Sequence, residues 1–394
     1  MALPEFVAFV AGLMALNALA IDIMLPAMGE IAAELGAAED NDRQLIVVAY
    51  VLGFGFPQLI AGPLADRYGR RPVLFVSLVG YALMGVGCMF ARDFTSLLVL
   101  RFMQGVFASG CRVVAASLVR DIYAGRGMAR IMSLVMTVFM VVPILAPSVG
   151  QLVLFVAPWE WTFGVLVLGG AGMLAWALLR LKETLSPERK ARLTVRGVLN
   201  NYRTVATTPV TLGYMLASGV IFGALFTFIA SSEQVFTGPF ETGETFPLWF
   251  AGIALTMSIA TYSNSRVVER VGMRRLSHGA LIGFILFSLL TLIAMQVSES
   301  LWLFFPLFAM TFACFGLIGA NFTSLAMEPV GHIAGTASAV HGFATTTIAG
   351  SIGGAIAARY DGSTTPILNG YLLLGFATLA IVLITEKGRL FSSR

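Results

Sequence analysis

A chain of 394 residues that is 58% hydrophobic and only 12% charged, with a mean hydropathy of +0.86, cannot be an ordinary water-soluble globule and reads as a polytopic helical membrane protein. Its net charge of +4 comes from basic residues gathered in loops on one side, so no nucleic-acid partner is expected. Cys88, Cys111 and Cys314 all fall inside apolar runs and read as small packing residues in no disulfide framework.

In chain order, length and apolarity predict twelve spans, at about 5–28, 44–65, 73–91, 95–119, 130–156, 160–181, 211–232, 247–266, 276–297, 301–326, 333–357 and 366–385. The first run continues through Ile23, Met24 and Leu25 to Pro26 with no small-residue cleavage site, so it is a retained helix rather than a signal peptide. Basic residues occupy alternate loops: Arg67, Arg70 and Arg71; Arg120, Arg126 and Arg130; the run from Arg180 to Arg203; Arg266, Arg270, Arg274 and Arg275; and Lys387, Arg389 and Arg394. The opposite loops hold only Arg43, Arg92 and Arg359, which places the first group and both termini in the cytoplasm. The expected fold is all-α, with twelve transmembrane helices in two pseudo-symmetric six-helix bundles. The halves are 1–181 and 210–394, joined by a charged linker at 182–209. Leu193, Val195, Val198 and Leu199 among the linker's charges fit either an amphipathic helix on the inner membrane surface or a flexible tether.

Between the second and third spans lies Gly62-Pro63-Leu64-Ala65-Asp66-Arg67-Tyr68-Gly69-Arg70-Arg71-Pro72. Gly69 and Pro72 break any continuous helix, so a tight loop is expected, with Asp66 accepting hydrogen bonds and the arginines pairing across to another helix end. Beyond the eighth span, Ser265 to Arg275 echoes it, with Glu269 for Asp66, Arg270 for Arg67 and Gly272 for Gly69, while Ser265 and Met273 depart. Such a repeat suits a transporter of two parallel bundles with its binding site at the interface between them.

Few charges remain inside the spans. They are Asp22, Arg101 and Arg112, and each costs about 2.5–3.5 kcal/mol at the bilayer centre unless it meets a partner or an aqueous cavity. On the first span Ala11, Ala15, Ala18 and Asp22 share a face that is either a cavity wall or a packing seam. On the fourth, Arg101, Gly105, Ala108 and Arg112 align, since eleven residues make three turns and about 20°. Asp22 and Arg101 each lie about 9 Å below the outer surface, so they can meet. Arg112 lies about three turns closer to the cytoplasm, where it can line a cavity. In the fifth span Pro143 and Pro147 leave the carbonyls of Phe139 and Pro143 without their usual donors, and the bent helix, ending at Gly150, fits a gate or a fixed kink.

The remaining polar candidates are Glu233 at the outer end of the seventh span, Asn321 on the tenth and His341 on the eleventh. Each can face the cavity or fill a solvated or packing role. Asn17 is expected to bond a neighbouring helix. His278, His332 and His341 are scattered, and Glu328 with His332 makes a poor two-ligand site, so no metal, cofactor or enzymatic chemistry is expected. The sequence holds no pore loop or charged ring of a channel.

Gly62, Leu64, Asp66, Arg67, Gly69, Arg70 and Arg71 resemble the signature between helices 2 and 3 of the major facilitator superfamily. Leu100-Arg101-Phe102-Met103-Gln104-Gly105 is similar to its helix 4 signature, in which the arginine is implicated in proton transfer. Asp22-Ile23-Met24-Leu25-Pro26-Ala27 resembles the helix 1 signature of its twelve-span drug/proton antiporters, where this aspartate is a protonation site. Val142 to Gly150 resembles their helix 5 signature, with Gln151 a departure where another glycine is expected. Arg120-Asp121-Ile122-Tyr123 and Ala326-Met327-Glu328-Pro329 suit the bicyclomycin and chloramphenicol resistance branch. The resemblance implies a monomeric transporter of the cell inner membrane that exports small amphipathic compounds, such as chloramphenicol-type antibiotics, against inward protons. Its coupling would fall to Asp22 and Arg101 and its switching to the helix 2–3 loop. A metabolite facilitator or proton symporter is the alternative on the same scaffold.

Overall fold

The computed structural model describes residues 1–123, 125–185 and 195–391, leaving aside the side chains at 125–130, 133, 136–140, 195, 196, 332 and 334. The side chains of Arg126, Arg130, Phe139, Leu193, Val195, His332 and Arg394 therefore lie outside it. The described residues are helical with no strand, and they form two compact units, Met1–Val198 and Leu199–Arg394.

Unit 1 opens with α1 (Leu3–Asp22), which breaks where Pro26 supplies no N–H to the carbonyl of Asp22, four residues back. A 3₁₀ turn over Leu25–Ala27 follows, then α2 (Met28–Glu34). The second expected span is two helices, α3 (Leu45–Gly55) and α4 (Gln58–Tyr68), bent by 43°. Pro57 is the cause, because it has no N–H for the carbonyl of Gly53. α5 (Arg70–Met89), α6 (Phe94–Ile122), α7 (Gly125–Val156) and α8 (Glu160–Arg180) complete the unit, and α7 continues as a helix through Pro143 and Pro147.

The expected loop at 62–72 is a single residue. α4 runs through Asp66 and Arg67 to Tyr68 and α5 begins at Arg70, with Gly69 alone reversing the chain at φ +109°, a conformation that a side chain would strain. Its counterpart Gly272 takes φ +90° between α11 and α12 of the second unit, so the sequence repeat is also a repeat of backbone geometry.

Of the linker, residues 182–185 and 195–209 are described, and the second stretch opens with the helix α9 (Val195–Thr207). It docks through Val205, which is buried with Met215, Val330 and Ala337, whereas Leu199 is 58% exposed. Unit 2 continues with α10 (Pro209–Thr237), α11 (Phe246–Val271), α12 (Met273–Val297), α13 (Leu301–Met327), α14 (Ala334–Ala357) and α15 (Thr365–Thr385). One end of its core is aromatic, with Phe228 stacked on Phe250 at 4.9 Å and Phe304 on Phe308 at 4.7 Å, while Phe308 stacks on Tyr371 at 5.6 Å. Among the described residues nine helices are long and apolar enough to cross a membrane, or ten with the bent α3–α4 pair as one span. α7 and α14 occupy the other two expected positions.

Candidate functional site

The break in α1 organises the intramembrane polar groups of unit 1. A helix leaves its last four carbonyls without intrahelical donors, and Ala20 is among them once the helix stops at Asp22. Arg101, on α6 and fully buried, supplies the missing donor, its Nη2 donating to the carbonyl oxygen of Ala20 at 2.8 Å. Its Nη1 donates to Gln104 Oε1 at 2.7 Å and its Nε to the carbonyl of Ile46 at 3.3 Å. The guanidinium lies over the Tyr50 ring at 4.4 Å, and the Tyr50 hydroxyl donates to Asn17 Oδ1 at 3.0 Å, which is the bond between neighbouring helices expected of Asn17. A cation at the carbonyl end of a helix also complements its dipole.

Asp22 is 3% exposed, and its Oδ1 has no hydrogen-bond partner among the described residues. The expected contact with Arg101 is therefore not formed, although Arg101 bonds the backbone two residues before Asp22. The break after Asp22 frees the Ala20 carbonyl, and the guanidinium takes that carbonyl instead of the carboxylate. Ala11 and Ala18 on the same face are buried and Ala15 is half-buried, as in a packing seam. On α7, Gly150 packs so closely on the residues after Asp22 that an added Cβ would overlap the carbonyl oxygen of Ile23.

Arg112, further along α6, is exposed and makes no hydrogen bond or ion pair among the described residues; Phe54 is its aromatic neighbour at 5.7 Å. Phe54 in turn stacks with Tyr50 at 6.3 Å, so α3 holds two rings between the two arginines. On the flank of the same unit, a groove of about 660 Å³ with almost wholly apolar walls runs over α4, α5 and α6, bounded by Phe56, Ile60, Leu64, Phe102, Val106 and Phe107.

The other candidates fall in unit 2 and are not brought together. Glu233 on α10 is 9% exposed, and its Oε1 accepts from the Thr237 hydroxyl at 3.3 Å. Asn321 on α13 donates to Asn264 Oδ1 of α11 at 2.7 Å and to its own helix at the carbonyl of Leu317. His341 Nε2 on α14 lies 3.3 Å from the Thr323 hydroxyl.

At the basic end of unit 1, Arg70 is buried and clamped. It pairs with Asp66 on the preceding helix, and its Nε donates to Asp121 Oδ2 at the end of α6 at 2.9 Å. Arg67 is exposed over the Tyr68 ring, and Gly62 approaches α6 no closer than an ordinary contact with Val113. Sequence reasoning missed Glu183, just past α8. Its Oε1 accepts from the backbone N–H of Arg70 at 3.0 Å and its Oε2 from that of Arg71 at 3.1 Å, capping α5 from another part of the chain. Arg71 Nη2 returns a bond to the carbonyl of Leu178 in α8.

Unit 2 builds the equivalent corner differently. Met273 stands where unit 1 has Arg70, so the clamp passes to Arg274, whose Nε donates to Glu386 Oε1 at 2.7 Å just past α15. The Tyr214 hydroxyl donates to the same oxygen at 2.7 Å. In each unit a carboxylate after the sixth long helix holds the glycine corner between the second and third.

Partial burial pushes the Glu183 carboxyl up, but the backbone N–H groups of Leu185, Arg70, Arg71 and Thr184 outweigh it and hold the group below its ordinary value of 4.5. A carboxyl whose folded-state pKa is lowered contributes stability above its unfolded pKa and loses it as pH falls through the folded one. Glu183→Gln is therefore expected to cost about 1 kcal/mol at pH 7 and less as the pH is lowered below 4.5. Thermal unfolding in detergent at pH 7 and pH 4 checks this, and an equal deficit at both would contradict the assignment.

Over residues 10–358 the chain matches the Major Facilitator Superfamily. A bicyclomycin resistance protein homolog of Haemophilus influenzae is 26% identical over 362 residues, covering 88% of this chain and 87% of that protein. The multidrug resistance protein MdtL of Escherichia coli is 32% identical over 252 residues, 61% of each chain. Among solved structures, that of a D-xylose-proton symporter is similar in fold with a TM-score of 0.77 at 14% identity, covering 100% of this chain and 99% of that one. Its membrane-spanning helices, its repeated glycine corners and a family match over most of its length agree: the chain belongs to the major facilitator superfamily and is a transporter rather than an enzyme.

Proposed function

We propose that the protein is a proton-coupled exporter of small amphipathic compounds, chloramphenicol-type antibiotics among them, in which the Asp22 carboxyl carries the proton. The observation that carries this reading is Asp22 itself: buried, lacking a partner at Oδ1, and seated where α1 breaks. A carboxyl in the membrane interior must be protonated, hydrated or paired, and a group that exchanges one of these for another can couple proton movement to a change of conformation. Arg101 acts on it as a positioning residue. Its bonds to the carbonyls of Ala20 and Ile46 tie the end of α1 to α6 and α3, so Asp22 stays at one depth whether or not it carries a proton.

In the proposed cycle the outward-facing state protonates Asp22, and the inward-facing state exchanges that proton for the compound. The clamp of Arg70 by Asp66 and Asp121, capped by Glu183, is the switch that holds and releases one of these states. Pro143, Pro147 and Gly150 on α7 supply the moving contact beside Asp22. The two bundles at 1–181 and 210–394, the linker between them, cytoplasmic termini, a monomeric state and the cell inner membrane belong to the same proposal. The names of the two relatives, one for bicyclomycin and one for multidrug resistance, support the substrate class. Cells producing the protein are expected to hold less radiolabelled chloramphenicol than control cells, with the difference abolished by a protonophore. Equal accumulation in both cells, or a deficit that survives the protonophore, would sink the proposal.

A further inference from the structure

We infer that Arg112 is a recognition site for an anionic group, so that amphipathic carboxylates and related anions form a substrate class of this transporter. The inference rests on the exporter reading above and names a chemistry that this reading leaves open.

A guanidinium carries five N–H donors, accepts nothing and stays charged, so within a membrane-spanning helix it must find acceptors, water or an anion. Other arginines of unit 1 are supplied with acceptors. Arg101 has two backbone carbonyls and the Gln104 amide, Arg70 has two carboxylates, and Arg180 has both oxygens of Glu5. Arg112 has none among the described residues, and it is exposed, with the Phe54 ring of α3 beside it. It is not at a span end either. α6 runs from Phe94 to Ile122, and Arg112 lies four residues, about 6 Å, past the middle of that helix. The Phe54 ring at 5.7 Å buttresses it from α3 and offers no acceptor that would neutralise it.

An accessible and uncompensated cation within a membrane-spanning helix, several residues from either end, is a poor packing element and a good counter-ion. It repels cationic compounds, is indifferent to neutral ones, and gains charge-assisted, bidentate hydrogen bonds from a carboxylate. Arg112 is eleven residues from Arg101, about 16 Å along α6, so an anion held there does not displace the proton at Asp22 directly. Neutral and anionic compounds can then share one proton-driven cycle, with Arg112 deciding which charge is favoured.

The test uses two probes of one shape, 2-naphthoate and 2-naphthamide, with binding to the purified protein measured by calorimetry at pH 7. The parent is expected to bind the naphthoate more tightly. Arg112→Gln should weaken naphthoate binding about tenfold or more while moving naphthamide less than about threefold, as for the loss of one charged hydrogen-bonding group. Arg112→Lys should restore part of the loss. An equal effect of Arg112→Gln on both probes, or none on the naphthoate, overturns the inference. Protonophore-sensitive efflux of chloramphenicol is scored separately, so a failure of the exporter reading is distinguished from a failure at Arg112.

Discussion

Asp22→Asn is expected to abolish uphill efflux while leaving a folded protein that still binds neutral compounds. Asparagine preserves the shape of the side chain, and Oδ1 has no hydrogen bond to lose, so no large change in stability is expected. What is lost is the proton. One proton moving inward against one neutral compound moving outward is worth about 2.3 kcal/mol per 100 mV, which supports an accumulation ratio of about 50. With a permanently neutral residue that ratio should fall to about one. Everted vesicles with an imposed gradient measure it directly. Uphill transport by the mutant would move the coupling elsewhere, and Glu233 on α10 would become the leading carboxyl.

Gly150→Leu is expected to be as damaging by a different route. The Cβ of any side chain there would overlap the carbonyl oxygen of Ile23 and come within 3.5 Å of Pro26 Cδ, both belonging to the turn that ends α1 at Asp22. A backbone carbonyl cannot rotate away as a side chain can, so α7 must lift off α1. Overpacking of this kind costs about 1–3 kcal/mol or more, and the displaced contact lies beside the proposed proton site. Chloramphenicol efflux should be lost and the melting temperature in detergent lowered. Gln151→Gly, at the neighbouring half-buried position where another glycine was expected, should leave efflux within a few-fold of the parent. If the two substitutions behave alike, close packing at Gly150 is not what the helix 5 signature encodes.

The all-helical fold, most of its apolar spans and the glycine corner were legible in the sequence, because apolar length and basic loops report directly on what a bilayer accepts. Interruptions within spans were harder to see. Pro57 and Pro26 each stand inside an apolar run, and only the rule that proline deprives the residue four back of its donor accounts for the breaks after Gly55 and after Asp22. Missing the second break led to a direct Asp22–Arg101 pair, whereas the arginine caps the carbonyl of Ala20 that the break releases. Glu183 could not have been joined to Arg70 by any spacing rule, since the two are 113 residues apart and meet only because α8 ends beside the start of α5. Asp121 was visible as part of a motif at the inner end of α6, and an acidic residue there, facing a basic corner, was a signal for a clamp. Of the linker's apolar residues Val198 is half-buried and Leu199 exposed, while Val205, outside that pattern, docks because the helices of unit 2 cover it.

Proton release on substrate addition tests the exchange at Asp22 most directly. Purified protein in weakly buffered detergent with a pH indicator should acidify the solution when chloramphenicol is added, by about one proton per bound molecule when Asp22 starts fully protonated. The Asp22→Asn protein should bind the compound and release none. Equal release from parent and mutant, or binding by the parent with no release at any pH, would contradict the account.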